Sequence, residues 1–496
     1  MSSLKDLIID AAEIATRTRR GLYYLAPFAR RVSFASQQLR AFNLIWALHA
    51  DGRIRSNDRV AVIGAGVAGV TAACALRAYG CAVDIYDRAS EPMWRQREAS
   101  HRMVHPNINF WPAENGLLPT TSQPFMEWYY QPCTKVIDRL FDQWKEFVAN
   151  DPNLLKFRGG HDISNAWGDH GSIFLEADPN IEGTEYKTAI VAVGFGDELV
   201  EPKFTTIDYW KPDTLESDRS DKKFKNFVIS GCGDGGMIDA LRVAYDFGSG
   251  RLAIDAAATL AGTEIEKLLA EYDKPWRSLA DEYMDLARKI GEDPTYEPTR
   301  ALLGSKLHQR VGLVIMVDSK YDNPFKSGAA PIHKLMVAYA RTRGVIRYDQ
   351  GSIGRATDHS ITAPFSPNYE DKNTRVVVRH GANLGFGRLL TTEEVDEYKR
   401  TKLRLTEYNF SPAYKDYPAL PPWPKYDPAD PLFRSHRRPL AEQAIGDFGG
   451  VSKVKMTLDG FEVIHTGDLA LKPKQLFGIA TTFSLENEAP TEEALV

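Results

Sequence analysis

Three glycines and one acid carry the clearest chemistry in this sequence. Gly64, Gly66 and Gly69 stand in a GxGxxG spacing between the apolar run Val60–Ile63 and the small-residue run Val67–Leu76. Asp87 follows Gly69 by eighteen residues, closing a second apolar run, Ala82–Asp87. Each glycine is useful for its missing Cβ. Gly64 allows a sharp turn off a strand, Gly66 lets backbone N–H groups reach a pyrophosphate, and Gly69 lets helix and strand pack closely. Ala65 and Ala68 are the small residues between them. A pyrophosphate would meet the positive end of the helix dipole, and Asp87 is placed to accept a hydrogen bond from a ribose hydroxyl. The pattern implies a bound dinucleotide.

A second glycine turn repeats the spacing. Gly231, Gly233 and Gly236, with Asp234 and Gly235 among them, follow the apolar run Phe227–Ser230. The sequence then predicts a helix to about Phe247, a turn at Gly248–Gly250 and a short strand Arg251–Asp255. Asp255 lies nineteen residues after Gly236, where a second ribose-binding acid is expected. The run Ala256–Ala261 offers the alternative of a helix through the same stretch. Cys232, inside this turn, reads either as a redox thiol or as a small packing residue.

The segment after Asp87 is rich in arginine and histidine: Arg88, Arg95, Arg97, His101, Arg102 and His105. Arg88 and Arg95 suit phosphate or ribose oxygens through the rigid guanidinium fork, or else a solvated surface. His101 and His105 are candidate proton donors or substrate hydrogen-bonders, because a histidine titrates near neutrality; the alternative is structural hydrogen bonding to the loop. They stand four apart, but Pro106 argues against a helix presenting both on one face, so no metal site is expected. Trp94, Phe110 and Trp111 are read as walls for a flat ligand or as core.

The elements that must position these residues are legible in outline. At 496 residues the chain exceeds the size at which one core usually stops growing, so two domains plus appendages are expected. Helical spacing predicts helices over about Leu4–Arg19, Phe34–Ala50, Cys133–Ala149 and Pro331–Arg343, and Gln37, Gln38, Arg40 and Asn43 are read as a solvated helix face, with a ligand-facing side as the alternative. Strands are expected at Gly171–Ala177, Tyr186–Gly194, Gly312–Val317, Val345–Tyr348, Thr374–His380 and Glu462–Asp468. Residues 262–290 read as helical and charged, suiting an insertion. The net charge of −5, with both signs interspersed, gives no case for nucleic acid. Four cysteines form no CxxC pair and no zinc pattern, which fits a reducing cytoplasm. The apolar run Val60–Leu76 falls short of the roughly 20 residues a bilayer needs. Asp6, Asp10 and Glu13 interrupt the arginine-rich N-terminal segment, which argues against a transit peptide, so it is read as a helical leader.

Taken together, Val60–Asp87, Ala189–Gly194 and Phe227–Asp255 resemble the flavoproteins with two dinucleotide-binding domains. That group holds flavin monooxygenases, amine N-hydroxylases and thioredoxin-reductase-like enzymes. The resemblance implies FAD at the first glycine turn, NAD(P)H at the second, and a small-residue link at Gly194. Thr466–Asp468 is similar to the late Gly-Asp turn of such proteins, which implies that Gly467 and Asp468 contact the flavin ribityl chain. Without a CxxC pair, dithiol-disulfide chemistry is not expected. The expected fold is α/β: a Rossmann-like FAD domain with a β-meander, a second Rossmann-like domain, and an N-terminal helical extension. The expected boundaries are 1–57 for the extension, 58–200 for the first part of the FAD domain, 201–380 for the second domain with its helical insertion, and 381–496 for a return to the FAD domain. The implied activity is a cytoplasmic FAD-dependent oxidoreductase, reduced by NAD(P)H, with NADH favoured by Asp255 and NADPH kept open by Arg251, and reoxidised by oxygen or an organic acceptor. An amine or amino-acid oxidase without NAD(P)H, and a non-catalytic nucleotide sensor or assembly protein, are the alternatives. A small-molecule substrate is implied, with neither nucleic acid nor membrane as partner, and a homo-oligomer is left open.

Overall fold

The computed structural model describes residues 4–13, 20–25, 31–113, 116–121, 123, 125–150, 152–181, 184–196, 198–273, 281–308, 314–355, 360–363, 369–381, 389–396, 451–457 and 460–465; for 4, 5, 249 and 451–465 it describes the backbone path only. The chain divides into two compact units. One comprises Met1–Arg97, Leu118–Gly196 and Leu384–Val496; the other comprises Glu98–Leu117 and Asp197–Asn383. Residues 98–117, read in the sequence as part of a 58–200 domain, thus cluster with the second unit.

The first unit is built on a five-stranded parallel sheet ordered Leu22–Tyr24, Thr188–Val191, Arg59–Ile63, Ala82–Asp87, Leu155–Gly159. Strands covered on both faces read as continuous apolar runs, and Val60, Ala61, Val62 and Ile63 are all buried. Helix Val67–Ala78 returns the chain from Ile63 to Ala82 in the usual crossover. Asp84 is the polar exception in its strand. It is buried and takes Arg59 at 2.8 Å and Arg158 at 3.2 Å, one from each flanking strand. An antiparallel hairpin, Asp162–Asp169 with Ser172–Asp178, precedes the last strand, and a single bridge joins Ile173 to Tyr186. The expected meander is therefore one hairpin and one bridge.

The N-terminal segment is more than helical. Leu22–Tyr24 forms the edge strand of the sheet, and helix Phe34–Ala50 opens with a capping box: the Ser36 amide donates to Ser33 Oγ at 3.1 Å and the Ser33 amide to Ser36 Oγ at 2.9 Å. The polar face of this helix is only partly solvated: Gln37 and Arg40 are half-buried, and the other two residues depart from the sequence reading. Gln38 is fully buried, donating to Thr71 Oγ1 at 3.1 Å and the Met126 carbonyl at 2.9 Å while accepting from Trp128 Nε1 at 2.7 Å. Asn43 is buried as well. Gln38, placed among these three partners, satisfies its polar atoms inside the core.

The second unit holds a four-stranded parallel sheet ordered Ile346–Gln350, Val314–Asp318, Asn226–Ser230, Thr374–Val378. Helix Asp234–Ala244 follows the glycine strand. Among the described residues, four α-helices then intervene before Val314–Asp318: Arg251–Leu260, Glu264–Tyr272, Glu282–Glu292 and Glu297–Lys306. The expected strand at Arg251–Asp255 is thus the first half of a helix. Alanine favours helix, and Ala253, Ala256, Ala257 and Ala258 extend the segment into a 3.6-residue period that buries one face. This insertion packs against helix Pro331–Thr342, in which every residue from Pro331 to Ala340 is buried.

The two sheets share one connectivity. In each, the glycine strand lies between the strand that follows its helix and a late strand, and a further helix and strand extend the acid side: Cys133–Asn150 and Leu155–Gly159 in the first, Pro331–Thr342 and Ile346–Gln350 in the second. A hairpin precedes the late strand in both, Gly354–Arg355 with Ile361–Thr362 serving in the second. A further hairpin, Val451–Thr457 with Gly460–His465, covers most of the strand expected at 462–468. Gly467 and Asp468 lie outside the described residues.

Candidate functional site

The glycines of the first turn divide by what a side chain there would meet. A Cβ on Gly64, whose φ is +99°, would stand 2.5 Å from the Ala192 carbonyl oxygen, and one on Gly69 would stand 1.8 Å from the Gly64 carbonyl oxygen. Both must be glycine for the backbone to close. A Cβ on Gly66 would meet nothing within 4 Å, so its glycine leaves room outside the protein. Gly66 is also the N-cap of helix Val67–Ala78 and offers no side-chain cap, which leaves the first-turn amides directed at an incoming acceptor. This is the volume a pyrophosphate would need, and the residues fit that group.

Asp87 closes the turn from below. Its Oδ2 accepts from the Ala65 amide at 2.6 Å and its Oδ1 from the Ala89 amide at 2.8 Å. A carboxylate has about four lone-pair sites, so two remain for a ribose hydroxyl. The Ala65 carbonyl in turn accepts from the Met93 amide at 2.8 Å, which brings the 93–97 segment beside the turn. Trp94 there is exposed, as is Phe195 just after strand Thr188–Val191. Arg95 donates to the Gly196 carbonyl, so it ties two loops together, whereas Arg88 is exposed beside Asp87. Gly194, with φ +66°, lies in the turn after Thr188–Val191. Ala68 is half-buried in the first helical turn.

The second turn repeats these contacts atom for atom. A Cβ on Gly231, φ +111°, would stand 2.0 Å from the Arg379 carbonyl oxygen; one on Gly236 would stand 2.0 Å from the Gly231 carbonyl oxygen; one on Gly233 would meet nothing within 4 Å. Gly235 faces the Tyr209 ring, which a Cβ would approach to 3.2 Å. The Gly64 and Gly231 amides each donate at 2.7 Å to the strand that carries the acid, at Tyr86 and Val317.

The acid of the second turn is Asp318, not Asp255. Asp318 Oδ2 accepts from the Cys232 amide at 2.8 Å and Oδ1 from the Lys320 amide at 2.8 Å, the same two bonds that Asp87 makes to the residue between the first two glycines and to the residue two places on. Asp255 lies on helix Arg251–Leu260 in an i,i+4 pair with Arg251 at 2.8 Å. The signal for Asp318 was in the sequence: Val314–Asp318 is an apolar strand ending in an acid, like Ala82–Asp87. Cys232 is buried, and its Sγ donates to Asp318 Oδ2 at 3.1 Å. Burial, reinforced by the Asp318 charge, pushes the thiol pKa up, so Cys232 is a packed thiol and no nucleophile. Asp234, one residue after Gly233, accepts at Oδ1 from the Ala330 amide at 3.1 Å and from His333 Nδ1–H at 2.7 Å.

His101 and His105 both belong to the second unit. His105 is buried, and its Nδ1 accepts from the Asn107 and Ile108 amides at 3.1 and 3.0 Å, which fixes the loop. Burial lowers its pKa to about 3, so it stays neutral at physiological pH. His101 lies 3.7 Å from Asp213 Oδ2; burial first and neighbouring Arg102 second lower its pKa to about 4. Neither histidine is therefore poised to exchange a proton near neutrality. Next to His101 lies an ion cluster that sequence reading missed. Fully buried Asp239 takes Arg102 at 2.5 Å, Arg379 at 2.8 Å and Arg242 at 2.9 Å, and Arg242 also binds Asp213 at 2.7 Å and Glu216 at 2.5 Å. The three guanidinium groups hold the Asp239 carboxyl far below its ordinary range, against the opposing effect of burial. Trp111 is buried core, and Phe110 is half-buried. Among the described residues no group of three His, Cys, Asp or Glu could hold a metal ion, and no helix is long and apolar enough to cross a membrane. All four cysteines are buried thiols outside any disulfide.

Residues 59–177 match the protein family described as FAD dependent oxidoreductase. No curated protein matches the chain. Among solved structures, the bacillithiol disulfide reductase of Staphylococcus aureus is 11% identical, with 68% of this chain and 79% of that one covered and a TM-score of 0.38. A steroid monooxygenase bound to NADP is 15% identical over 67% of this chain and 72% of that one, with a TM-score of 0.34. Thioredoxin reductase of T. acidophilum is 16% identical over 68% and 80%, with a TM-score of 0.30.

Proposed function

From an FAD-dependent oxidoreductase domain over residues 59–177, we propose that this enzyme holds FAD on the Gly64–Gly69 turn and takes its electrons from NAD(P)H held on the Gly231–Gly236 turn. The observation that carries this reading is the repetition of one contact set at two glycine turns, each with an open position, Gly66 or Gly233, and each with an acid bonded beneath it. When bound, the flavin would accept two electrons from the nicotinamide and pass them to oxygen or an organic acceptor. The chain's own part is to bind and orient. Helix starts at Gly66 and Gly233 would receive the pyrophosphates, and Asp87 and Asp318 would receive the adenosine ribose hydroxyls. Exposed Trp94 and Phe195 supply apolar surface beside the first turn, suited to a flat ring. An acid at Asp318 favours NADH, because a 2′-phosphate there would meet a like charge. The setting that fits four cysteines outside any disulfide is the cytoplasm.

The decisive measurement is anaerobic titration of the purified yellow protein with NADH and NADPH, followed at the flavin absorbance. Bleaching by one nucleotide, with NADH the more effective, is expected. Flavin colour retained with both nucleotides overturns the proposal, and bleaching by an amine or amino acid alone would establish the oxidase alternative.

A further inference from the structure

The two glycine turns match in nearly every contact, and they differ in charge at one position. The residue after the second glycine is Val67 in the first turn and Asp234 in the second. Both are the first residue of the helix that would receive a pyrophosphate. Val67 is buried, while the Asp234 side chain is 28% exposed and so open to its surroundings on one side.

We infer that Asp234, held by His333, sets how tightly the second turn binds its nucleotide and makes that turn the one whose ligand exchanges. The inference rests on the reading of the second turn as the nicotinamide site. A pyrophosphate carries two negative charges, and a carboxylate at the same helix start opposes it, whereas a valine does not. The carboxylate is not loose. The Ala330 amide and His333 Nδ1–H both donate to Oδ1, and His333 is fixed by its burial and by the Phe247 ring edge-on at 6.5 Å. These two donors draw part of the charge away from the helix start, so the turn still accepts a dinucleotide. Such tuning suits the division of labour between the sites: a flavin should stay through many turnovers, and a spent nicotinamide must leave after each one.

The test is calorimetric titration of the FAD-loaded protein with NAD+, or with NADP+ if the wild type takes that one, and stopped-flow measurement of its release. Asp234→Asn keeps the shape and the acceptor oxygen and removes the charge. It should bind NAD+ tenfold or more tightly and release it correspondingly more slowly, with FAD content unchanged. His333→Gln should weaken NAD+ binding severalfold in the wild-type background and have no effect once Asp234 is asparagine. Unchanged or weaker NAD+ binding in a folded Asp234→Asn protein overturns the inference while leaving the nicotinamide site standing. If the asparagine variant does not fold, His333→Gln decides alone, and wild-type affinity in it is the overturning result. A wild-type protein that binds neither nucleotide removes the functional reading and this inference with it.

Discussion

At the scale of single residues, the glycines of each turn do two separable jobs, and variants can pull them apart. Gly69 has no space for a Cβ because the Gly64 carbonyl oxygen would stand 1.8 Å away, so Gly69→Ala should fail to give a stable protein, read by solubility and thermal melting. Gly66 has free space around it. Gly66→Val should therefore keep the fold and lose flavin by roughly tenfold or more, equivalent to about 1.4 kcal/mol of binding. Full flavin content in folded Gly66→Val would remove the assignment of the first turn. Asp318 allows a matching comparison. A hydrogen bond to a charged group contributes about 1.5–3 kcal/mol, so Asp318→Asn should reduce the NADH over NADPH preference in kcat/KM by roughly tenfold or more. Asp255→Asn, which changes only a helix-surface pair with Arg251, should leave that ratio where it was.

At the scale of elements, the first strand–turn–helix–strand unit was fully legible because its signals are adjacent: an apolar run, three glycines, a small-residue helix and an acid within 28 residues, from Val60 to Asp87. The second was legible only to the end of its helix. Among the described residues, four inserted α-helices separate Ala244 from Val314, so a rule that looks for an acid about twenty residues on finds Asp255, and the strand that carries the true counterpart was read as ending at Val317. Gln38 and Asn43 were misplaced for a different reason. Helical spacing shows which side of a helix is polar, and only the loop that supplies Met126 and Trp128 decides whether that side meets water. The Asp239 cluster was hidden in the same way, since Arg102 and Arg379 are remote in sequence and only the Asp239–Arg242 pair has helical i,i+3 spacing. It joins the 98–117 segment, helix Asp234–Ala244 and the end of the last strand around one buried carboxylate. Removing one partner of a buried ion pair typically costs about 3–5 kcal/mol, because the charges left behind stay buried. Asp239→Asn should reach that range, measured by denaturant unfolding, since it takes one charge partner from three buried guanidinium groups; a loss below 1 kcal/mol would show that their remaining partners, Asp213 and Glu216 among them, satisfy them without Asp239.

At the scale of the whole molecule, the chain is one topology written twice with an insertion in the second copy and a strand added to the first. Acid should weaken the second copy through its histidines. His101 and His105 have folded pKa values near 4 and 3, below the ordinary 6.5, so between pH 6.5 and those values the unfolded chain binds more protons. Their contribution to stability is therefore complete above pH 6.5 and is lost progressively as the pH falls toward 3. Melting temperature followed from pH 7 to pH 4 should decline more shallowly in His105→Asn, which keeps an acceptor for the Asn107 and Ile108 amides but does not titrate. Parallel curves for the variant and the wild type would place the acid sensitivity elsewhere.

The seal that Ala192 places over Gly64 also fixes an order of events during synthesis. Ala192 is made 128 residues after Gly64, and among the described residues the strand it follows is the one that joins Leu22–Tyr24 to the rest of the sheet. At about 5–20 residues per second, the ribosome leaves the first glycine turn open on that side for roughly 6–25 s. The edge strand waits longer still for its neighbour. On the proposed reading of this turn as the flavin site, flavin would load only after Ala192 has been made, on a first turn whose glycine strand has already left the ribosome.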